Sequence, residues 1–322
     1  MNFADLPETL HQAIQYFADP DNALAFLVAM RWPDGVVCPR CESKEHSFIA
    51  TRRVWKCKAC QKQFSVKVGT ILEDSPIGLD KWLCAIWMIA NCKNGISSYE
   101  IHRDLGVTQK TAWFMLHRIR LAMQQGSLEK KLCGIVEADE TFIGGKLANM
   151  HLDKQTRMRM NHKRIGGYDG KAIVMGLLER HTKKARLKVL PNVRQFHVRT
   201  NVKDNVEKGA TIYSDSLRSY HNLPADGFEH DFVDHSVEYV KGLVHTNGLE
   251  NFWSLFKRAL KGTYISVEPF HLQAYADEQA YRFNNRLTHD LERFTTVVSN
   301  IAGKRMTYAE LTGKELDTAG LN

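Results

Sequence analysis

Two Cys-x-x-Cys pairs constrain the N-terminal part of this chain more than any other feature of the sequence. Cys38 and Cys41 flank Pro-Arg, Cys57 and Cys60 flank Lys-Ala, and fifteen residues separate the two pairs. Each pair can form a tight knuckle that directs two thiolates at one centre, and two knuckles complete the closed tetrahedral site that Zn²⁺ prefers in a structural role. The spacing predicts a zinc ribbon over residues 36–70, and the alternative is four buried cysteines without metal.

The charge of the chain favours a nucleic-acid partner. The 322 residues carry a net charge of +8, and the isoelectric point is about 9.0. Basic residues surround the ribbon cysteines and recur from Lys146 to Lys171, a stretch that contains Gly166-Gly167. Clustered cations bind phosphates, so a DNA-binding ribbon and a loop that folds onto DNA are expected. A solvated basic surface and a disordered loop are the alternatives for the same composition.

Neither secretion nor membrane insertion is expected. The first thirteen residues lack a basic n-region, and the longest apolar runs are too short to span a bilayer. Paired cysteines in a reducing compartment suggest metal before disulfide. We therefore expect a soluble, cytoplasmic protein, associated with the nucleoid of a bacterium.

Hydrophobic periodicity divides the chain into successive regions. Helical spacing dominates up to residue 35 and again over 78–125, with the ribbon between them and a boundary near Gly126. From 132 to 290, Val- and Ile-rich strand patterns alternate with helical ones, which predicts an α/β core with a mixed sheet. Strands are expected at 134–143, 171–179, 185–191 and 211–214, and helices near 195–207, 216–222, 246–261 and 269–286. Residues 291–322 carry few strong motifs and are expected to form a C-terminal tail.

The region 78–125 has the pattern of a helix-turn-helix. Ser97 and Glu100 form a capping box at the start of one helix, Gly106 supplies a turn, and Thr108 can cap the next helix. The second helix of such a motif enters the major groove of DNA. The candidates for its DNA face are Gln109, Lys110, Trp113 and Arg118. Two helices joined by a glycine turn also occur in proteins that do not bind DNA.

Three carboxylates stand at positions suited to metal-dependent phosphoryl chemistry. Asp139 lies in one predicted strand, Asp215 ends another, and Glu250 follows on a predicted helix with Lys257 seven residues further on the same face. Mg²⁺ takes oxygen ligands, and two metal ions can activate the attacking oxygen and stabilise the leaving oxygen of an in-line displacement. Taken singly, each residue has a structural alternative, such as a strand-end turn or a solvated helix face.

Neighbouring side chains keep the assignment of the ligands open. Glu137 and Glu140 flank Asp139, and strand alternation puts Glu137 on the same side. Asn247 lies one helical turn before Glu250. His245 is a further polar residue near this helix, although a lone histidine more often serves as a hydrogen-bonding residue.

The blocks around these residues resemble a known family. They are Val136-Glu-Ala-Asp-Glu-Thr-Phe-Ile-Gly-Gly-Lys146, Ile212-Tyr-Ser-Asp-Ser-Leu-Arg-Ser-Tyr220, and His245-Thr-Asn followed by Glu-Asn-Phe-Trp-Ser-Leu-Phe-Lys-Arg258. They are similar to the bacterial insertion-sequence transposases with a DDE catalytic triad, above all to the insertion sequence 1595 family, and the Cys-Pro-Arg-Cys ribbon fits that group. The resemblance extends over about residues 20–310.

The resemblance implies a fold, cofactors and partners. It implies a ribonuclease H-like catalytic domain with helices on both faces of a mixed sheet, behind the zinc ribbon and the helix-turn-helix. It implies catalysis with two Mg²⁺ ions, or Mn²⁺, on Asp139, Asp215 and Glu250, while Lys257 contacts a phosphate. Some members have asparagine as the third residue, which makes Asn247 the alternative to Glu250. The implied partners are the terminal inverted repeats and the target DNA, bound by a homo-oligomer.

Two other functions compete with transposition. A DNA-binding regulator could keep the ribbon and the helix pair beside a catalytic domain that is inactive, although the three carboxylates and Lys257 are all present. A nuclease of ribonuclease H type could use the same carboxylates, but two additional DNA-binding modules favour the recognition of defined duplex ends.

Overall fold

The structure is a computed structural model, and it describes residues 6–124, 130–145, 152–153, 156, 171–233 and 244–314. The chain forms two compact units, one of Met1–Gln124 with Asn285–Asn322 and the other of Gln125–Asn284. Within the described ranges, no helix combines the length and the apolar character needed to cross a membrane.

The first unit begins with two short helices, α1 (Leu10–Ala18) and α2 (Pro20–Arg31). Thr9 caps α1 in a reciprocal capping box with Gln12, and Pro20 stands at the first position of α2, where its missing N–H costs nothing. Apolar side chains on both helices are excluded from solvent, so that each helix is stabilised by burial of one face.

A three-stranded antiparallel sheet follows, in the order β1 (His46–Ile49), β2 (Val54–Cys57) and β3 (Gln63–Phe64). Trp55 of β2 stands opposite Phe64 of β3, and the two rings stack at 5.8 Å between centroids. The strands are short, and this aromatic pair contributes to the apolar packing of the ribbon.

Three helices then form the predicted helix-turn-helix region: α3 (Leu79–Asn91), α4 (Ser98–Leu105) and α5 (Gln109–Met123). The predicted capping box is confirmed, since Ser97 Oγ accepts the Glu100 N–H at 3.2 Å and a Glu100 carboxylate oxygen accepts the Ser97 N–H at 2.7 Å. Gly106 ends α4 in the left-handed region at φ 59°, and Thr108 Oγ1 accepts the Thr111 N–H at the start of α5.

The second unit is built on a five-stranded mixed sheet. Its strands are β4 (Ile135–Ile143), β5 (Ala172–Glu179), β6 (Ala185–Leu190), β7 (Thr211–Asp215) and β8 (Glu229–Val233), and their order across the sheet is β6-β5-β4-β7-β8. The central strand β4 runs antiparallel to β5 and parallel to β7. The predicted mixed sheet is confirmed, and β8 is an edge strand that the sequence analysis missed.

Helices cover both faces of this sheet, as expected. On one face, α6 (Gln195–Asn205) buries Val198 and Val202 against alternate residues of β4, β5 and β7. On the other face, α7 (Asn247–Ala259) and α8 (Leu272–Asn284) pack on the remaining residues of β5 and β6. The helix expected at 216–222 is only a short 3-10 turn, Arg218–Tyr220.

The C-terminal residues return to the first unit. The helices α9 (Asp290–Ser299) and α10 (Tyr308–Thr312) lie almost entirely within residues 291–322, for which the sequence predicts only a tail. Phe294 of α9 enters an aromatic cluster with Phe17, Phe26 and Trp87, at centroid distances of 4.9–5.7 Å. This cluster gives the first unit a core made from both ends of its sequence.

Candidate catalytic and DNA-binding sites

The strand register brings Asp139 and Asp215 together. The parallel pairing of β4 with β7 matches Ile135 with Thr211 and Glu137 with Tyr213, and the same offset sets Asp139 beside Asp215. Carboxylate oxygens of Asp139, Glu140 and Asp215 lie within 4.8 Å of one another. Two of the predicted ligands therefore share one site, and Glu140 joins them.

Asp139 is held on the α7 side of the sheet by hydrogen bonds. The indole Nε1–H of Trp253 donates to Asp139 Oδ2 at 2.8 Å, and the Glu140 N–H donates to Oδ1 at 2.8 Å. Gly176 is the residue opposite Asp139 on β5, and a Cβ there would lie 2.7 Å from Trp253 Cζ2. The missing side chain of Gly176 thus leaves the space through which the indole reaches the carboxylate.

Glu140 points to the opposite face of β4, where Tyr220 donates its hydroxyl hydrogen to the Glu140 carboxylate. Burial, with the charges of Asp215 and Asp139, raises the pKa of Glu140 to about 8. Burial, with the charges of Asp215 and Glu250, raises the pKa of Asp139 to about 6, against the lowering effect of the Trp253 N–H. The site holds acidic groups whose negative charges repel one another, which is the electrostatic setting that a cation relieves.

The acidic cluster fits a divalent cation. Around an octahedral Mg²⁺ with bonds of about 2.1 Å, neighbouring ligand oxygens are about 3.0 Å apart and opposite ones about 4.2 Å, so the three side chains must draw closer together to share one ion. Each carboxylate oxygen of Asp139 accepts one of the two hydrogen bonds given above, and each oxygen retains a further lone pair for coordination. The residues Asp139, Glu140 and Asp215 are thus compatible with a hard cation.

Glu137 has a different role, although it shares a face with Asp139. Its side chain is almost fully buried, it pairs with Arg180 at 2.8 Å, and it accepts the Leu249 N–H at 3.1 Å. A carboxylate at this position stabilises the N-terminus of α7, where no side chain of the helix itself provides a cap. Gly248 permits the approach, because a Cβ there would lie 2.7 Å from Glu137 Oε2.

His245 takes part in the same contacts that hold the start of α7. The Arg180 guanidinium donates to His245 Nδ1 at 2.8 Å and to the His245 carbonyl oxygen at 2.6 Å. Arginine can only donate, so Nδ1 is the acceptor and a neutral imidazole carries its proton on Nε2. Glu137, Arg180 and His245 together join β4, the end of β5 and the start of α7.

The exposed face of α7 carries the remaining predicted residues. Apolar side chains of this helix are buried on the sheet, and the exposed positions recur at helical spacing: Asn247, Glu250, Asn251, Ser254, Lys257 and Arg258. Glu250 lies in the first turn and is close enough for its charge to raise the pKa of Asp139, but it is not one of the three clustered carboxylates. Asn247 and Lys257 share its face, as predicted.

The four cysteines of the ribbon converge on one centre. Cys38 Sγ lies 3.8 Å from Cys60 Sγ, and Cys41 Sγ lies 3.6 Å from Cys57 Sγ. A tetrahedral zinc site with Zn–S bonds of about 2.3 Å separates its sulfurs by about 3.8 Å. The cluster therefore suggests a structural zinc ion.

The two knuckles have the same local conformation. The residues that follow Cys41 and Cys60, Glu42 and Gln61, both adopt the left-handed region, at φ 60° and 58°. Backbone N–H groups of Cys60 and Ala59, together with neighbouring thiols, lower the pKa of Cys57 to about 7. Amides directed at sulfur stabilise the thiolate, which is the form that binds metal.

The predicted DNA-facing residues of α5 separate into two groups. Lys110 is exposed with its Nζ 4.5 Å from the centre of the Tyr308 ring, while Gln109 and Trp113 are half-buried near the start of the helix. Gln109 donates to Ser98 Oγ at 2.9 Å. These three residues lie on the N-terminal part of α5, the part of a recognition helix that contacts base edges.

Arg118 lies further along α5, where residues 115–120 are buried. Its side chain is 5% exposed and donates to the carbonyl oxygens of Met306 at 3.1 Å and Glu73 at 2.8 Å. The guanidinium also lies 4.2 Å from the centre of the Phe114 ring. The placement of Arg118 on a DNA face is therefore corrected: the residue ties α5 to two loops of its own unit.

The predicted basic loop lies outside the described residues: apart from Lys171, this holds for the cations of the stretch 146–171 and for Gly166-Gly167.

Comparisons with known proteins agree with the fold and the site. Residues 131–284 match an ISXO2-like transposase domain, and residues 19–63 match a transposase zinc-ribbon domain. An uncharacterized protein of the transposable element ISH50 of Halobacterium salinarum is 28% identical over 254 residues, which are 77% of this chain and 85% of that protein. An uncharacterized transposase-like protein of Haemophilus influenzae is 31% identical over 97 residues, 30% of this chain and 78% of that relative.

A mixed sheet that brings Asp139 of the central strand beside Asp215 at the end of the next strand, in a chain that also carries a four-cysteine ribbon, is the arrangement of a transposase with a ribonuclease H-like catalytic domain. The chain belongs to the IS1595 family of insertion-sequence transposases, with the zinc ribbon and the DDE domain of that family. The family implies that it binds DNA and cleaves phosphodiester bonds.

Proposed function

We propose that this transposase binds the terminal inverted repeats of its element and catalyses metal-dependent strand cleavage and strand transfer with Asp139, Asp215 and Glu250. The observation that carries the proposal is the junction of β4 and β7, where Asp139 and Asp215 converge beside the start of α7. The family match over residues 131–284 supplies the reaction class.

Each residue has a distinct role in this proposal. Asp139 is the central ligand, oriented by the Trp253 indole, and Asp215 is the ligand from the neighbouring strand. Glu250 approaches from the first turn of α7, with Asn247 as the alternative on the same face. Divalent ions bound there would activate the attacking oxygen and stabilise the leaving one. Lys257 binds a phosphate of the DNA that lies along α7.

Glu140 competes with Glu250 as a third ligand. It lies in the carboxylate cluster, whereas Glu250 does not. Its bond from Tyr220 and its position on the far face of β4 favour a supporting role, because Glu140 is directed away from α7. Comparison of strand cleavage by Glu140 and Glu250 variants shows which of the two side chains is the third metal ligand.

DNA recognition is proposed for the first unit. The start of α5 offers the exposed Lys110 and the half-buried Gln109 and Trp113 for contact with base edges and phosphates. Basic residues of the ribbon add phosphate contacts. We also propose a homo-oligomer that holds two element ends together; a complex of two labelled end duplexes, seen by native mass measurement, is the expected assembly.

The proposal is tested by strand cleavage of a duplex made from the DNA that flanks the gene. Wild-type protein is expected to nick it at a discrete position with Mg²⁺ or Mn²⁺ and to lose this activity with chelator. Asp139→Asn, Asp215→Asn and Glu250→Gln are expected to abolish cleavage while they leave end binding largely intact. Tight binding without cleavage by the wild type would favour a regulator, and cleavage of an RNA–DNA hybrid instead would favour a nuclease.

A matched pair of variants decides the third ligand. If Glu250 holds metal, Glu250→Gln abolishes cleavage and Glu140→Gln only reduces it. If Glu140 holds metal, the order is reversed. Asn247→Ala distinguishes the remaining candidate, since it is expected to retain cleavage when Glu250 is the ligand.

A further inference from the structure

Ile265, just beyond the C-terminal end of α7, combines a strained backbone with an exposed apolar side chain, and the fold of the second unit accounts for neither. Its side chain is 84% exposed. Its backbone lies at φ 61° and ψ −57°, and the Ser266 N–H donates to the Tyr264 carbonyl oxygen at 2.6 Å. This is a γ-turn of the positive-φ form, which is rare and strained, and a β-branched residue is among the least suited to its centre.

The segment before Ile265 is firmly held. The helix α7 continues as a π-helical turn, Leu260–Tyr264, and such turns often occur at functional sites. The Tyr264 hydroxyl donates to the fully buried Glu278, which also pairs with Arg282, and the Tyr264 ring meets Tyr275 edge-on at 4.7 Å. A strained residue persists where its surroundings fix it, so the turn is a rigid support and Ile265 projects from it.

The surface that leads to Ile265 is basic. Lys257, Arg258 and Lys261 are exposed, and no acidic residue occurs between Glu250 and Glu268. At about 1.5 Å per residue, Ile265 lies roughly 20 Å along the helix from Glu250, the length of about six base pairs. Charge complementarity therefore favours nucleic acid over a second protein surface at this apolar side chain.

We propose that Ile265 is a wedge that inserts between two base pairs of the element's end DNA, about six base pairs from the cleaved phosphate. The phosphates lie along Lys257, Arg258 and Lys261, and the fixed turn presses the apolar side chain into the stack. Proteins that bend DNA use aliphatic side chains on rigid supports in this way. The inference rests on the proposed function, because it requires the end DNA to run along α7.

The test uses 2-aminopurine, whose fluorescence rises when its base is unstacked. End duplexes carry the probe singly at successive positions, and they are bound by the full-length Asp215→Asn protein so that no strand is cut. A fluorescence rise at one step, about six base pairs from the cleavage position, is expected. Ile265→Gly is expected to abolish the rise and to keep or increase the melting temperature, because glycine relieves the strained backbone.

Two further variants control for side-chain chemistry and position. Ile265→Met keeps an apolar side chain and is expected to retain the rise, whereas Ile265→Asn is expected to lose it. Phe270 is also exposed, at 61%, but it lies in a 3-10 turn, so Phe270→Ser is expected to leave the signal unchanged.

The outcomes separate the wedge from the catalytic proposal. An unchanged fluorescence rise with Ile265→Asn would overturn the wedge even if the wild type cleaves DNA. Loss of a DNA-free dimer in Ile265→Asn, measured by sedimentation, together with no rise in any duplex, would assign the side chain to a protein interface instead. Absence of cleavage by the wild type, with the rise retained, would refute the catalytic proposal alone.

Discussion

Gly176→Ala tests whether space on β5 positions the first carboxylate. The new Cβ would lie 2.7 Å from Trp253 Cζ2, 2.8 Å from Trp253 Cη2 and 2.9 Å from Leu249 Cδ2. Carbon atoms prefer about 3.5–4.0 Å, so the indole must retreat by about 1 Å. A retreat of that size lengthens the 2.8 Å bond from Trp253 Nε1 to Asp139 beyond hydrogen-bonding distance.

The expected losses of stability and of metal binding follow from the crowding at residue 176 and from the lost hydrogen bond between Trp253 and Asp139. Overpacking costs about 1–3 kcal/mol, partly offset by the lower chain entropy of alanine, so urea unfolding should show a destabilisation of about 1–2 kcal/mol. Loss of an outer hydrogen bond to a metal ligand typically weakens metal binding or activity by about 10–100-fold. Mn²⁺ titration calorimetry and the cleavage assay should both show that reduction.

A double-mutant cycle measures how much of the cost of Gly176→Ala comes from its contact with the Trp253 indole. Trp253→Phe removes the indole N–H and the ring atoms that meet the new Cβ, so Gly176→Ala should cost about 1 kcal/mol less in that background. Gly262→Ala is the stability control, because a Cβ there has no neighbour within 4 Å. Additive costs, or Mn²⁺ affinity in Gly176→Ala equal to that of the wild type, would refute the positioning role of the indole.

Four further predictions follow from the site and its supports. Burial raises the pKa of Glu140 to about 8 in the folded state, so the protonated side chain favours folding at low pH and this stabilisation is lost as the pH rises from about 4.5 to 8. Glu140→Gln should therefore have a higher melting temperature than the wild type at pH 8.5 without metal. Equal melting temperatures at that pH would contradict the burial of the Glu140 charge. Cys57→Ser should lose bound zinc and loosen the ribbon, measured by zinc content and proteolysis; a variant with one zinc and full DNA affinity would refute the assignment. Gly248→Ala should destabilise by about 1–3 kcal/mol in urea, because its Cβ meets Glu137 Oε2; unchanged stability would show that the helix start can shift freely. Arg118→Ala should lower the melting temperature, because two carbonyl oxygens lose their donor, and a loss of DNA affinity without loss of stability would restore it to the DNA face.

The features that could be predicted from the sequence are local ones. The Cys-x-x-Cys pairs predicted the four-cysteine cluster because each knuckle is made by neighbouring residues, and Ser97 with Glu100 predicted a helix start for the same reason. Strand and helix periodicity predicted the mixed sheet and the helices on both faces. β8 escaped because it is an edge strand with a mostly exposed, polar sequence, Glu-His-Asp-Phe-Val, and no clear apolar alternation.

Which polar side chains share a site depends on the packing of elements that are distant in sequence. Glu137 and Asp139 lie on one face of one strand, so alternation could not distinguish them; Arg180 and the Leu249 amide, distant in sequence, engage Glu137 in holding α7. Arg118 matched the pattern of a DNA-facing cation, but the carbonyl oxygens that bind it lie 45 and 188 residues away. Hydrogen-bond partners across such separations are set by the packing of whole elements, which no local pattern of residues records.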